Sequence, residues 1–281
     1  MSLNETRQVA IAVAPNGGRL TTADHACVPV TPDALATCAS ACLEAGAAMF
    51  HIHVRDRDQN HLLDAQAYVE AISAIRAAVG DRLVLQITTE ALGRYQPDFQ
   101  AEIVRKVRPE AASLALRELV PDAGHERSFA ELLAFMAREG IMPQIILYSP
   151  DEAVRLNDLI KRGLVPFEDL PVLYVLGRYT AGQRSAPADL LPFLAASQPK
   201  FSHFMVCAFG PQEAACVTSA ALLGGHVRVG FENNTALPDG SVAESNAQTV
   251  KVVADTLASL AISTRSAEAL RSDWQKLLQR C

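Results

Sequence analysis

Two histidines separated by one residue, His51 and His53, end an apolar run that reads Ala-Ala-Met-Phe-His-Ile-His-Val-Arg-Asp over residues 47–56. Side chains alternate between the two faces of a β-strand, so positions i and i+2 point the same way. We therefore expect both imidazoles on one side of a strand, where they suit two ligands of one metal ion. A zinc-type site needs at least one further protein ligand. The alternative is two buried histidines whose nitrogens are satisfied by hydrogen bonds.

A second segment whose residue types could take part in catalysis or metal binding reads Gly-Gly-His-Val-Arg-Val-Gly-Phe-Glu-Asn-Asn over residues 224–234. Arg228 and Glu232 lie at or just past the end of its apolar part. If this strand lies near the histidine strand, Glu232 completes a set of two histidines and one carboxylate with an open position for substrate. Spacing alone favours the alternative, in which Glu232 is a surface carboxylate.

Polar residues at the ends of other apolar runs are candidate substrate contacts. The first run is followed by Asn16, two glycines and Arg19, and a guanidinium there can pair with a carboxylate. Thr88 and Thr89 end the third run, and Ser113 lies in the fourth, so their hydroxyls can bond a substrate oxygen. Each has a structural alternative, which is a flexible turn, a solvated arginine or a residue that simply favours strands.

Composition and charge exclude several classes of function. The chain has 281 residues, of which 49% are hydrophobic and 20% charged, with a formal net charge of −6. It has no basic stripe, which argues against a nucleic-acid partner. It has neither an apolar run of about 18 residues that would span a membrane nor the apolar N-terminal run of a signal peptide. Its six cysteines form no CxxC pair, so we expect reduced thiols in a cytoplasmic protein.

Strand-like apolar runs alternate with helical patterns along the whole chain. Because the runs are short and mostly continuous in hydrophobicity, they suit a parallel sheet that is covered on both faces. The predicted strands are Val9–Ala14, Ala47–Val54, Leu83–Thr88, Ala112–Leu116, Pro143–Leu147, Val172–Leu176, Ser202–Cys207 and His226–Val229.

Helix boundaries are readable between these strands. Thr31 before Pro32 predicts an N-cap with proline at the first helical position. Ser128 with Glu131, and Ser149 with Glu152, predict capping boxes. The pairs Ala186-Pro187 and Gly210-Pro211 are also expected to open helices, and Gly46, Gly80, Gly140 and Gly163 to close them.

Eight βα units without a break in composition predict an α/β fold, a (β/α)8 TIM barrel that forms a single domain over residues 1–281. The alternative is a doubly wound open sheet, since strand order cannot be read from sequence. In such barrels the active site lies at the C-terminal ends of the strands. The polar residues at those ends are therefore the candidates for function.

The same segments resemble the β-keto acid cleavage enzyme family, typified by 3-keto-5-aminohexanoate cleavage enzyme. They span nearly the whole chain in the right order, and the first and last long motifs are the specific ones. The matching motifs are Val30-Thr31-Pro32, the residues 44–48, the residues His51-Ile52-His53-Val54-Arg55-Asp56, Ile87-Thr88-Thr89, Ala112-Ser113-Leu114 and the residues 224–234.

The resemblance implies a divalent metal ion, usually zinc, that is bound by His51, His53 and Glu232. It implies a reaction in which a β-keto acid and acetyl-CoA yield acetoacetate and a new CoA ester, with acetyl-CoA as a co-substrate. It also implies a homo-oligomer, either a homotetramer or a homodimer. Arg228 and Thr88 lie in the motifs that match the family, and the resemblance therefore makes them catalytic candidates.

The chain departs from the family pattern at several positions. Asn233 stands where the type enzyme has an aspartate that acts as acid and base, and an asparagine cannot be a general base. Asn233 is kept as a catalytic candidate by position, while Glu90 and Asp56 are the possible substitute bases. The loop after the first predicted strand, residues 16–19, lacks the acidic residue that binds the substrate amine in the type enzyme. It is called the strand-one loop below. Arg19 in that loop instead favours a substrate with an acidic or polar far end.

Two other classes of function remain open on sequence grounds. One is a metal-dependent hydrolase or aldolase on the same fold that works without CoA, and the other is a non-catalytic metal-binding protein. Asp56 is either a partner that orients a ligand imidazole or a surface charge. Arg19 is expected to contact a distal carboxylate of the substrate, and its alternatives are a CoA phosphate or solvent.

Overall fold

The computed structural model describes residues 7–279, and eight parallel strands within this range close into a barrel. The strands are β1 (Ile11–Val13), β2 (Met49–Ile52), β3 (Val84–Ile87), β4 (Ala111–Ala115), β5 (Met142–Leu147), β6 (Val172–Leu176), β7 (Phe204–Ala208) and β8 (His226–Val229). The order around the barrel follows the chain, and β8 closes on β1. The predicted TIM barrel is confirmed, and β2 and β8 lie on either side of β1.

Helices pack around the outside of the barrel and, after the last strand, also against one of its ends. They are α1 (Pro32–Glu44), α2 (Ala65–Val79), α3 (Pro97–Val107), α4 (Leu116–Leu119), α5 (Glu126–Glu139), α6 (Pro150–Lys161), α7 (Leu191–Leu194), α8 (Glu213–Leu222), α9 (Asn246–Ser259) and α10 (Ala267–Leu278). Across residues 7–279, no helix combines the length and apolar character that crossing a bilayer requires.

The barrel interior is apolar at its N-terminal end and polar at its C-terminal end. Inward-facing residues near the strand starts, such as Ala10, Met49 and Val84, form one buried cluster with the face of α10 that carries Leu270 and Trp274. Helix α10 therefore covers the N-terminal end of the barrel. The polar groups of the barrel interior lie toward the opposite, C-terminal end. That is the end at which TIM-barrel active sites are found.

Two predicted strands each combine a barrel strand with residues that pair outside the barrel. Gln8–Val9 leaves the barrel and pairs with Ser263–Thr264, so β1 begins only at Ile11. Val54–Arg55 likewise pairs with His61–Leu62 in a separate antiparallel hairpin, so β2 ends at Ile52. The apolar pattern continues through both breaks because the flanking residues are also buried, which is why the sequence could not reveal them.

Most predicted helix boundaries are confirmed. Thr31 and Ser149 accept hydrogen bonds as N-caps of α1 and α6, Ala186 precedes a short 3-10 helix, and the four predicted glycines have positive φ at helix ends. The capping box at Ser128 is wrong, because Asp122 caps a 3-10 turn and α5 already begins at Glu126. Helix α8 begins at Glu213, later than the predicted Gly210-Pro211.

Candidate active site

His51, His53 and Glu232 converge at the C-terminal mouth of the barrel. The Nε2 atoms of the two histidines lie 3.2 Å apart. Glu232 Oε2 lies 3.1 Å from Nε2 of His53 and 3.7 Å from Nε2 of His51. Both imidazoles are fully buried, and the Glu232 side chain is 16% exposed. The spacing that the sequence suggested therefore becomes a compact group of three donors from two strand ends.

The donor atoms of this group fit a divalent metal ion. Nδ1 of His51 bonds Gln86 Oε1 at 2.8 Å, which leaves Nε2 with its lone pair facing the other two donors. Glu232 Oε2 is buried and has no hydrogen-bond partner among residues 7–279. Electron pairs on three donors this close repel one another unless a cation lies between them. Two nitrogens and one carboxylate oxygen are a common ligand set for catalytic zinc.

Burial and charge keep these groups in the states that metal ligands need. Burial lowers the pKa of His51 to about 3, so the imidazole is neutral at physiological pH. Burial alone would raise the pKa of Glu232, but Arg228 and the two histidines together outweigh burial and lower the pKa well below its ordinary value. Metal ligands must be deprotonated, and both side chains meet this condition.

Arg228 is buried inside the barrel beside Glu232. Its Nη2 lies 3.0 Å from Glu232 Oε1 and 3.3 Å from Cys207 Sγ, while Nε has no hydrogen-bond partner in the part of the chain that the structure describes. Burial raises the pKa of the Cys207 thiol to about 11, so the sulfur contributes no charge at neutral pH. Arg228 therefore leaves one Glu232 oxygen, Oε2, free for the metal position.

Two glycines allow the Glu232 loop to pack against the loop after β1. Gly230 has a φ of +128°, and a Cβ there would lie 2.5 Å from the carbonyl oxygen of Ala14. Gly17 has a φ of +56°, and its Cβ would lie 2.6 Å from Glu232 Cγ. A side chain at either position would displace the ligand carboxylate, so these glycines set its position.

One side-chain amide and one buried carboxylate hold the loop after β8, which carries Glu232, in place. Asn246 accepts a hydrogen bond from the Phe231 amide and donates one to the Pro15 carbonyl, which joins the loops after β1 and β8. Glu213 accepts a hydrogen bond from the Gly230 amide. Burial raises the pKa of Glu213 well above its ordinary value.

Arg55 holds the strand-one loop in place. Its buried guanidinium donates to the carbonyl oxygens of Asn16, Gly17 and Leu20. The Asp56 carboxylate accepts hydrogen bonds from the backbone and side-chain amides of Asn60 within the hairpin turn. Gln86, and not Asp56, therefore orients a ligand imidazole, so the suggested role for Asp56 is wrong.

Two asparagines present buried polar atoms toward the site. Asn16 donates to the carbonyls of Pro29 and His53, but its Oδ1 has no partner. Both polar atoms of the Asn233 side chain are buried and have no hydrogen-bond partner among the described residues. Both residues line a cavity of about 280 Å³ above Glu232. Buried amides without protein partners are costly, so the cavity is suited to a ligand that bonds them.

The predicted hydroxyl contacts lie in different environments. A second, smaller pocket, called the inner pocket below, is lined by His51, His53 and Thr88 among others. Thr88 Oγ1 accepts a hydrogen bond from the Glu90 amide. Thr89 donates its hydroxyl to the Ser113 carbonyl, which commits it to the barrel wall. The Ser113 hydroxyl is buried without a partner. The substrate roles of all three stay predictions.

Arg19 is exposed at the mouth of the main cavity. It lines that cavity and also a neighbouring pocket of about 370 Å³ that contains Arg94 and His61. This position is compatible with a substrate carboxylate, a CoA phosphate or solvent, so the predicted role of Arg19 remains a prediction.

Glu90 and Arg178 are two residues whose importance spacing alone could not reveal. Each follows a strand end closely, at β3 and β6, and that position is the one signal in the sequence. Glu90 Oε2 lies 3.9 Å from Nδ1 of His53, and Glu90 Oε1 lies 3.8 Å from Nη2 of Arg178. Both side chains line the main cavity and the inner pocket. Of the carboxylates among residues 7–279, Glu90 and Glu232 are those that line both.

Comparison with known proteins identifies the relatives of this chain. The model of the beta-keto acid cleavage enzyme family matches residues 8–273. The chain is 29% identical over 261 residues to the 3-keto-5-aminohexanoate cleavage enzyme of Acetoanaerobium sticklandii, covering 88% of this chain and 90% of that protein. It is 29% identical over 301 residues to the 3-dehydrocarnitine:acetyl-CoA trimethylamine transferase of Rhizobium meliloti, covering 96% of this chain and 97% of that protein.

Solved structures support the fold. The apo structure of ObcA matches with a TM-score of 0.68 at 17% identity, covering 88% of this chain. The matched region is 65% of the ObcA chain, so ObcA is considerably longer. At this identity the likeness shows the barrel fold alone.

Proposed function

The chain belongs to the β-keto acid cleavage enzyme family, and we propose that it converts a β-keto acid and acetyl-CoA into acetoacetate and a new acyl-CoA. The observation that carries this proposal is the buried group of His51, His53 and Glu232, of which Glu232 also lines a cavity with unpartnered polar atoms. The relative from Rhizobium meliloti, which is named as an acetyl-CoA transferase, supports the use of acetyl-CoA.

A bound divalent ion, with zinc the expected one, would supply a Lewis acid for the ketone and carboxylate of a β-keto acid. His51, His53 and Glu232 would hold it. Gln86 keeps the His51 ring oriented, and Arg228 keeps Glu232 ionised and aligned. The Asn233 amide is placed to bond a polar atom of a bound substrate.

Glu90 is the proposed general base. Asn233 cannot take up a proton, and Asp56 is committed to the hairpin turn. Glu90 lies beside His53, and the nearest cationic groups to its carboxylate among residues 7–279 are His53 at 3.9 Å and Arg178 at 3.8 Å, both beyond hydrogen-bond length. It accepts the proton from the carbon between ketone and carboxylate, and that carbon attacks the thioester carbonyl of acetyl-CoA, which breaks the C–S bond and expels the CoA thiolate. After the thiolate attacks the substrate ketone and the carbon–carbon bond breaks, Glu90 returns the proton to acetoacetate.

The decisive experiment is a screen for acetoacetate release. Purified protein with added zinc is incubated with acetyl-CoA and a panel of β-keto acids. We expect acetoacetate and a new acyl-CoA only when both substrates are present. Consumption of the keto acid at the same rate without acetyl-CoA would instead assign the protein as a metal-dependent hydrolase or aldolase.

Location and assembly are further parts of the proposal. The five described cysteines are free, which supports a reducing compartment such as the cytoplasm. A homodimer or homotetramer is proposed from the family resemblance. Light scattering of the purified protein measures the assembly directly.

Replacing Arg228 by alanine is expected to lower turnover more than stability. The guanidinium is the positive group that aligns the ligand carboxylate, and in the metal-loaded protein the ion still neutralises Glu232. We expect kcat/KM to fall by about 100-fold or more, as for other losses of preorganised charge, with a small change in Tm. Arg127→Ala, which removes an exposed helix ion pair, is the control. A collapse in Tm with full activity in the folded fraction would assign Arg228 a structural role.

A further inference from the structure

Arg178 is a mostly buried cation that the proposed chemistry does not use. Its side chain is 12% exposed, and its guanidinium lies 5.1 Å from the ring centroid of Phe209 and 5.7 Å from that of Tyr179. It lines both the main cavity and the inner pocket that contains His51 and His53. Stacking on aromatic rings orders the planar group in advance of any ligand.

The guanidinium of Arg178 has unused donors. Its nearest carboxylate oxygen among the described residues, Oε1 of Glu90, lies 3.8 Å away, which exceeds hydrogen-bond length. An arginine side chain carries five N–H donors in a fork that matches a carboxylate. An ordered, partly desolvated fork without close acceptors is a prepared site for an anion.

The charges that line the two cavities leave a positive excess. Arg228 is neutralised by Glu232 at 3.0 Å. Glu90 can balance only one of Arg19 and Arg178, and a divalent ion at the histidines adds two positive charges. The carboxylate next to the ketone of a β-keto acid supplies one negative charge. A second negative charge on the substrate would bring the site closer to neutrality.

We propose that the substrate is a β-keto dicarboxylic acid whose far carboxylate is bound by Arg178. This inference rests on the proposed function, because it assigns the substrate class of the same site. One carboxylate group, Glu90, lies within 4 Å of both His53 and Arg178, so a short chain spans the distance between them. A CoA phosphate is less suited to Arg178, because its guanidinium reaches the inner pocket, whereas the exposed Arg19 lies at the mouth.

The same geometry disfavours a substrate with an ammonium end. Such a group needs a carboxylate partner. Of the two carboxylates among residues 7–279 that line both cavities, Glu232 is paired with Arg228, and Glu90 has Arg178 beside it. An ammonium bound there would face the guanidinium at close range, which is repulsive in a partly desolvated site. Arg178 thus favours substrates whose far end is an anion and disfavours those whose far end is a cation.

A binding experiment tests the proposal without requiring turnover. The probes are 3-hydroxyhexanedioate and 3-hydroxyhexanoate, which match in chain length and differ in one terminal carboxylate. The hydroxyl in place of the ketone prevents enolisation. Calorimetry on the zinc-loaded protein should show tighter binding of the dicarboxylate by about 10- to 100-fold, as expected for a charge-assisted bidentate contact.

Three variants assign the preference to one residue. Arg178→Gln should abolish the preference, and Arg178→Lys should keep part of it, because lysine retains the charge but not the fork. Arg184→Gln is the matched control, since Arg184 is exposed in the same loop and lies outside both cavities. It should bind both probes as the unmodified protein does.

Equal affinity of the unmodified protein for the two probes would overturn the proposal. So would a preference that survives in Arg178→Gln, or one that is lost in Arg19→Gln alone, which would assign the far carboxylate to Arg19. Failure of the proposed function is separate, since it appears as absent acetoacetate release in the acetyl-CoA assay. An Arg178-dependent preference in a protein without that activity would support the binding site and contradict the reaction.

Discussion

Replacing His51 by alanine is expected to remove the bound metal ion and to lower turnover by about a thousandfold or more. His51 supplies one of three donor atoms that lie within 4.8 Å of one another, and two remaining ligands bind a divalent ion weakly. A Lewis acid is worth several kcal/mol of transition-state stabilisation, and each 1.36 kcal/mol corresponds to about a tenfold change in rate. Elemental analysis of the purified variant, together with the acetoacetate assay, measures both effects.

Two further variants show whether the loss comes from ligation. Gln86→Ala removes the partner of the His51 ring and should weaken metal affinity by about 10- to 100-fold while leaving all three ligands. His226→Ala removes another histidine of the barrel that bonds the Ala10 amide and should leave metal content unchanged. A His51→Ala protein that keeps one equivalent of metal at the original affinity would contradict the ligand assignment.

Replacing Glu90 by glutamine is expected to lower turnover by about 100- to 10,000-fold, the usual contribution of a general base. Glutamine has nearly the same shape, and the backbone groups of residue 90 keep their hydrogen bonds to Thr88 and His61. Metal content should therefore stay at its original value. Exchange of the α-protons of the β-keto acid with deuterated water, followed without acetyl-CoA, isolates the proton-transfer step.

Asp56→Asn is the matched control for this prediction. Asp56 is the other carboxylate that the sequence offered as a base, and its side chain bonds the hairpin turn. We expect this variant to exchange protons and release acetoacetate at rates close to those of the unmodified protein. Normal exchange in Glu90→Gln together with slow exchange in Asp56→Asn would reverse the two assignments.

Much of the fold was predictable because it depends on local patterns. Alternating apolar runs and helical segments indicate eight βα units, and Thr31 and Ser149 mark helix starts by their own side chains. The capping box at Ser128 failed because a competing cap, Asp122, stands earlier in the chain. Strand ends such as Ile52 were missed because the residues after the break are as buried as those before it.

The candidate site was predictable only in part. The spacing of His51 and His53 places both side chains on one face of a strand whatever the surroundings. That Glu232 joins them follows from the closure of β8 on β1, which no local pattern contains. The environment of Glu90 could not be foreseen either, because it depends on contacts with His53 and with Arg178, which come from strands β2 and β6.

By itself the sequence determined the repeating βα architecture, the histidine pair and the chemical types at the strand ends, because each depends on residues close together in the chain. Tertiary structure alone decided which of these side chains meet. Gln86 orients His51 in place of Asp56, and Arg178 faces the cavity with free donors. The physical reason is that closing a barrel brings distant strand ends within a few ångströms, where distance, burial and neighbouring charge set the function of each group.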